Sequence, residues 1–209
     1  MSTHNDIVVG LLDPLDSRDA GLVEALSGLV NRVYATAEDG LWVDGTARTT
    51  PSEMAEFIAA GQIAVATRDG QVVGSVRVHD LSDDVSEFGM LVAAPEHRGT
   101  GVGRALIDFV EQHSREHGMR AVRLELLVPR EWRHPSKEFL KSLYGRGGYL
   151  IIRTGRIDDA YPHLAPLLAT PCDLEIHEKP LDDPAESADP AAGEDGLPGN
   201  FAVAPWRIA

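Results

Sequence analysis

The run Pro95-Glu96-His97-Arg98-Gly99-Thr100-Gly101-Val102-Gly103-Arg104 sets glycines at alternate positions where a strand must become a helix. An apolar segment, residues 88–94, precedes it, and a helix-like pattern begins near Gly103. Glycine has no Cβ, so several main-chain N–H groups of such a loop can converge on one anionic group. The helix N-terminus behind the loop adds unpaired donors and the positive end of its dipole. The chemistry on offer is a pyrophosphate cradle. It is not a Walker loop, because Gly103 is followed by Arg104-Ala105 and not by Lys-Ser/Thr. It is not a dinucleotide fingerprint either, since the spacing is Gly-x-Gly-x-Gly and the motif lies deep in the chain.

Downstream, after a further strand-like segment, stands Leu143-Tyr144-Gly145-Arg146-Gly147-Gly148-Tyr149. The glycine run resembles the acyl-CoA motif of the GNAT superfamily of N-acetyltransferases, Gln/Arg-x-x-Gly-x-Gly/Ala. The second run is similar to that family's later Leu-Tyr-x-x-x-Gly-Phe/Tyr, at the expected distance. The resemblance extends from about residue 7 to residue 181. It implies an α/β fold, with a mixed, mostly antiparallel central sheet flanked by helices. It also implies acetyl-CoA as co-substrate, no metal, and direct transfer of an acetyl group to the primary amine of a small molecule. Under that resemblance Arg98, Gly99, Thr100, Gly101, Val102, Gly103 and Arg104 hold the pyrophosphate. The main chain at Leu91, Val92 and Ala93 meets the pantetheine arm and the acyl oxygen, and Pro95 marks where ladder pairing stops. Tyr144 lies beside the sulfur, where its phenol can protonate the departing thiolate. Seven residues before the tyrosine, where many members carry an arm-contacting asparagine, this chain has Lys137, with Ser136 beside it. Lys137 shares a helix face with Tyr144, within reach of a phosphate or of the substrate.

An ammonium of pKa near 10 must lose its proton before it attacks, a cost of roughly 4 kcal/mol at pH 7. Glu87 is the first candidate base. Strand alternation predicts that Glu87, Gly89, Leu91 and Ala93 share one face, and Gly89 leaves room for a ligand. Acids at this strand position act as the base in some members of the family. Glu125 is the second candidate, because an unpaired acid in mid-strand is costly; Arg123 or Arg120 would be its structural partner. His79, Asp80 and His134 stand at loop edges. Arg130, Arg133 and His97 are candidates for the 3′-phosphate, and Tyr34, Trp42 and Trp132 for the acceptor pocket that relatives form from the segment after the first helix. Cys172 lies outside both motifs, which disfavours an acyl-cysteine intermediate. Two other readings stay open: a longer acyl-CoA donor, and a CoA-binding regulatory domain without turnover.

The elements that must position these groups are legible in outline. A strand at 7–12 precedes a helix at about 19–34, with Leu22, Leu26, Leu29, Val30 and Val33 at helical spacing. Thr50-Pro51-Ser52-Glu53 is a capping box with proline at the first helical position. Strands at 63–68 and 71–79 flank Asp69-Gly70, a strong hairpin signal. A strand at 87–94, the helix behind the cradle, a strand at 121–128, a helix that Ser136 can cap, and strands at 150–154 and 174–178 complete the pattern. The expected organisation is one acyltransferase domain, 1–181, and an acidic Pro/Ala/Gly-rich tail, 182–209, in which Phe201, Val203, Trp206 and Ile208 are the apolar exception. Net charge is −14, of which the tail supplies −5. Acidity of this degree argues against nucleic acid as a partner. No apolar run long enough to span a bilayer, no basic-then-apolar leader and a single cysteine lead to the expectation of a cytoplasmic protein without membrane contact. A homodimer is compatible with the family resemblance.

Overall fold

Asp69 and Gly70 both take positive φ, 52° and 76°, and so close the tight turn that their sequence announces. The strands on either side, β2 (Ile63–Arg68) and β3 (Gln71–Asp80), pair antiparallel. In the computed structural model, which describes residues 7–181, this hairpin belongs to a seven-stranded sheet. The stretch 182–209, including Phe201, Val203, Trp206 and Ile208, lies outside the described residues. The remaining strands are β1 (Val8–Leu11), β4 (Val85–Ala93), β5 (Ala121–Pro129), β6 (Leu150–Arg156) and β7 (Cys172–Pro180), in the spatial order β1-β2-β3-β4-β5-β7-β6. Every neighbouring pair is antiparallel except β4 with β5, as expected of a mostly antiparallel sheet.

One face of the sheet carries α1 (Ala20–Ala37) and α2 (Pro51–Ala59). Leu26, Val30, Met54 and Ile58 bury there against Ile63, Val65 and Val92. The α2 capping box forms as read: Thr50 Oγ1 accepts from the Glu53 amide at 3.1 Å, and the Glu53 carboxylate accepts from the Thr50 amide at 2.9 Å. The opposite face carries α3 (Val102–Glu116) and α4 (Pro135–Arg146), with Leu106, Val110 and Tyr144 packed on Val76, Phe88 and Leu124. Gly74 on β3 is where α3 comes closest. A Cβ there would stand 2.6 Å from Val102 Cγ1 and 2.7 Å from the Val92 carbonyl oxygen. A third cluster, around Leu127, Ile157, Tyr161 and Leu164, closes the α1 side of β5 and β7 beside the short α5 (Ile157–Ala160).

Two local expectations change. The N-cap of α4 is His134, whose Nδ1 accepts from the Ser136 amide at 3.2 Å while Pro135 takes the first helical position. Ser136 is therefore inside the helix and not its cap. The first helix also runs one turn further than its apolar spacing implied, so that Glu38 is its C-cap.

Candidate active site

The cradle forms at the start of α3. Gly99 and Gly101 adopt φ of 77° and 92°, conformations that a residue with a Cβ reaches only with strain. Gly101 is the N-cap, and no side chain caps the helix behind it. The first helical bond runs from the Ala105 amide to the Gly101 carbonyl at 2.9 Å, so the amides just ahead of Ala105 have no acceptor within the helix. Cβ atoms added at Gly99, Gly101 or Gly103 would meet nothing within 4 Å. Donors converge there on open space, an arrangement that fits an anionic group.

From the cradle a cleft of about 740 Å³ runs between β4 and β5. The two strands pair only at Val85, Ser86 and Glu87 with Ala121, Val122 and Arg123. Beyond Glu87 they separate, and the rest of β4 lacks a ladder partner on its β5 side. The cleft enters this fork. Leu91, Ala93, Arg98, Gly99, Gly101, Val102, Gly103, Arg104, Ser136, Lys137, Tyr144, Glu87 and Glu125 all line it. Thr100 and Val92 do not. Thr100 turns its hydroxyl back on the His97 carbonyl at 2.8 Å, and Val92 is buried against α1.

The face assignment along β4 is different from the one that alternation predicts. Val92 pairs with Ser75 but Gly89 pairs with Arg77, so β4 uses one residue more than β3 in that interval. Met90, at φ 50°, sits in this bulge. The extra residue reverses the faces. Leu91 and Ala93 pack on the α3 side with Phe88, whereas Glu87 and Gly89, on either side of Phe88, lie on the α1/α2 face. Gly89 lies opposite Arg77, whose guanidinium stacks 3.9 Å above the Phe57 ring of α2. The acyl-facing and base-bearing parts of β4 thus occupy opposite sides of the sheet and meet through the fork.

At the fork burial raises the Glu87 carboxyl to about 8; the negative charge of Glu125 adds to the rise, and Arg123 and Arg77 oppose it. His79 Nε2 is 3.9 Å from Glu87 Oε1. Burial, reinforced by Arg77, lowers that imidazole to about 4. Near neutral pH this is mainly a contact between two uncharged groups. Glu125 accepts from the Tyr161 hydroxyl at 2.6 Å, while Arg123 binds Glu178 at 2.6 Å. Tyr144 is buried edge-on to Phe88 and Tyr149, with ring centroids 6.1 and 5.9 Å away. Burial, with a smaller contribution from Tyr34, raises its phenol well above the ordinary range and keeps it protonated.

Other expected residues have structural partners. Lys137 does not reach toward the cradle: its Nζ donates to Glu38 Oε1 at 2.6 Å, both side chains being about 4% exposed. Trp42 Nε1 donates to the other Glu38 oxygen at 2.7 Å. Burial works against ionisation of Glu38, but Lys137 and Arg48 hold its carboxyl below the usual range. Trp42 and Trp132 are absent from the cleft lining; of the three aromatic candidates only Tyr34 lines it. Arg130 is held by Asp173 and the Cys172 carbonyl, Arg133 is exposed beside Glu138, and His134 binds the Asp39 carbonyl at 3.1 Å. His97 does line the cleft, with Arg68 Nη1 3.4 Å from its Nδ1. Cys172 is buried and its thiol is pushed up to about 12, chiefly by that burial. Sequence reasoning missed Arg48, Arg77, Phe57 and Glu38, which also line the cleft. Arg77 carried a signal, since it alternates with His79 along β3; Arg48 sits in an aperiodic stretch and carried none.

A seven-stranded sheet forked between β4 and β5, with a glycine loop at the fork, is the architecture of the GNAT acetyltransferases. The chain belongs to that family: the family model described as "Acetyltransferase (GNAT) family" matches residues 31–145. Among solved structures, the chain is similar to yncA of Salmonella typhimurium, determined with its cofactor acetyl-CoA, at TM-score 0.62 and 17% identity over 90% of this chain and 100% of that one. It is also similar to the ribosomal-protein-S18-alanine N-acetyltransferase of Escherichia coli, at TM-score 0.59 and 15% identity over 88% and 99%. An amino-acid acetyltransferase of Pseudomonas fluorescens is 24% identical over 101 residues, 48% of this chain. The chain spans 22% of the length of that curated relative. No helix among the described residues is long and apolar enough to cross a membrane.

Proposed function

We propose that this protein transfers the acetyl group of acetyl-CoA directly to the primary amine of a small molecule. One observation carries the reading: a single cleft, lined by both Glu87 and Glu125, joins the uncapped N-terminus of α3 to these carboxyl groups through the fork in the sheet. The complexes of yncA with acetyl-CoA, and of the paia N-acetyltransferase of Thermoplasma acidophilum with coenzyme A, support the donor. The names of the E. coli and P. fluorescens relatives support an amine acceptor.

Acetyl-CoA supplies an activated thioester carbonyl. Amides of Gly99 and of residues 101–104 would hold its pyrophosphate, with Arg98, Arg104 and His97 at the charged end, and the unpaired edge of β4 near Leu91 and Ala93 would receive the arm and the acyl oxygen. The carboxylate of Glu87 accepts a proton from the acceptor ammonium, directly or through one water, so that the nitrogen lone pair is available. The new C–N bond forms as the C–S bond breaks, the Tyr144 hydroxyl gives its proton to the sulfur, and the second proton shed by the nitrogen returns the Tyr144 phenolate to its neutral form. A base near pH 8 is well matched to an amine of pKa near 10, because neither protonation state is out of reach. Ser136 and Lys137 border this region, Lys137 through its pair with Glu38 and not as a free cation.

The test is thiol release from acetyl-CoA against a panel of primary amines. Glu87→Gln and Tyr144→Phe should each lower kcat by about a hundredfold while CoA affinity stays within threefold. Turnover within a factor of two of wild type in both variants would remove these roles. Failure of every amine, in protein that binds CoA, would remove the catalytic reading.

A further inference from the structure

The side of the cleft on which Glu87 lies is walled by apolar side chains. We infer that the acceptor amine is carried on an apolar body, an alkyl or aryl chain, and that Val33, Tyr34 and Phe57 form the wall that receives it. This rests on the amine-acetylation reading and names its substrate class.

Glu87 lies on the α1/α2 face of the sheet, so the acceptor meets the cleft there. His79 stands directly opposite Glu87 on β3, and Arg77 is on the same face two residues away, roughly 7 Å along the strand. The Phe57 ring of α2 has that guanidinium 3.9 Å above it. From α1, Tyr34 reaches β4. Its hydroxyl is bonded by the Met90 main chain and by Arg48, whose guanidinium lies 4.9 Å from the ring centroid. Val33 is its neighbour on the helix. Val33, Tyr34 and Phe57 are only partly buried, pack on the core cluster of that face, and line the cleft. Their remaining apolar surface is therefore offered to whatever enters. A Cβ at Gly89 would meet nothing within 4 Å, which leaves the floor beside Glu87 open.

Polarity is concentrated at the amine end. Both ring nitrogens of His79 are buried without a hydrogen-bond partner among the described residues, and Nε2 is 3.9 Å from Glu87 Oε1. An ammonium entering beside them has N–H groups for both side chains. Away from that end the charged groups are engaged. Both Glu38 oxygens accept, one from Lys137 and one from Trp42. Glu125 accepts from Tyr161, and Arg77 Nε donates to Gln62 Oε1 at 2.9 Å. Arg48 is fastened at its main chain by Asn31, whose Oδ1 accepts from the Arg48 N–H at 2.8 Å. The chain as a whole carries −14, yet here Arg48, Arg77 and Lys137 stand against Glu38 and Glu125. A second ammonium, as in a polyamine or an amino sugar, would be desolvated there without a carboxylate of its own. An alkyl or aryl chain would instead cover the apolar wall.

The experiment measures thiol release from acetyl-CoA with unbranched acceptors whose amines ionise alike: propylamine through hexylamine, then 1,5-diaminopentane and 6-aminohexanoate. The last two exchange the terminal methyl of hexylamine for an ammonium and for a carboxylate. The expected result is a kcat/KM that rises about three- to fourfold per methylene, mainly through KM, as burial of one methylene group gives. Both charged analogues should fall at least about tenfold below hexylamine. In Phe57→Ala the rise per methylene should drop below about twofold. Phe57→Leu, which keeps part of the apolar area, should retain more of the rise and serves if the alanine variant does not fold. Val33→Asp, which gives the second ammonium a carboxylate, should bring 1,5-diaminopentane level with hexylamine. Thermal melting and CoA titration of each variant monitor folding. A flat series, or a charged analogue that matches hexylamine in the wild type, would overturn the inference and leave N-acetylation standing. An unchanged rise in both Phe57 variants, or rejection of the diamine by folded Val33→Asp, would overturn the role of this wall. Absence of turnover with every amine would overturn this inference together with the proposed activity.

Discussion

On the proposed mechanism, Glu87 is the residue whose protonation decides the rate. With its carboxyl raised to about 8 by burial and by Glu125, only about a tenth of the molecules carry the basic form at pH 7. Catalysis that needs the carboxylate should accordingly rise about tenfold per pH unit below 8 and level off above it. A pH profile of kcat/KM for the acceptor, corrected for the acceptor's own ammonium ionisation, checks this; Glu87→Gln should abolish the limb. The same shift acts on stability with a definite sign. The folded state holds this proton more tightly than the unfolded chain, so the contribution is complete below 4.5 and is lost as pH rises through about 8. Melting temperatures of wild type and Glu87→Gln should therefore diverge between pH 5 and 9, with wild type falling relative to the variant.

At the scale of elements, the junction of β3, β4 and α3 sets the site. Gly74 permits α3 to sit close to the sheet, and Val102, which it faces, is the first residue of that helix. Gly74→Ala forces a Cβ against a main-chain oxygen that has no slack, and should cost about 1–3 kcal/mol. Because the helix start would shift, CoA affinity should fall in the same variant. Gly10→Ala on β1, where a Cβ meets nothing, is the control that should leave both the melt and the CoA titration nearly unchanged. The elements were legible in the sequence where the signal is local. Asp69-Gly70 and Thr50-Pro51-Ser52-Glu53 fix a turn and a cap through their own backbone preferences, and both appear where expected. The cradle belongs with them, since alternate glycines at a strand–helix boundary act through their own φ angles. The bulge at Met90 was not legible, because methionine has no preference for positive φ and only the partner strand reveals the extra residue. Lys137 misled for a related reason: seven-residue spacing gives its helix face, but its partner Glu38 is 99 residues away in sequence. Arg48 depends on Asn31, a contact between two segments without shared periodicity.

Across the whole molecule, the Lys137–Glu38 pair links the two layers. It connects the first turn of α4, on one face, to the C-cap of α1, on the other. Breaking a buried pair from one side leaves an uncompensated charge, so Glu38→Gln or Lys137→Met alone should lose about 3–5 kcal/mol in urea unfolding. The double replacement should recover part of that loss, since neither member of the pair is then buried without the other.

The three rungs that join β4 to β5 also give the sheet the mechanics of tweezers. Strands β1 to β4 form one arm and β5, β7 and β6 the other, riveted at one end and parted at the tips. A donor arm seated between the tips would supply the rungs the protein omits. The thioester carrier would then be a temporary strand of its own enzyme, and release of the spent thiol would unlock the arms.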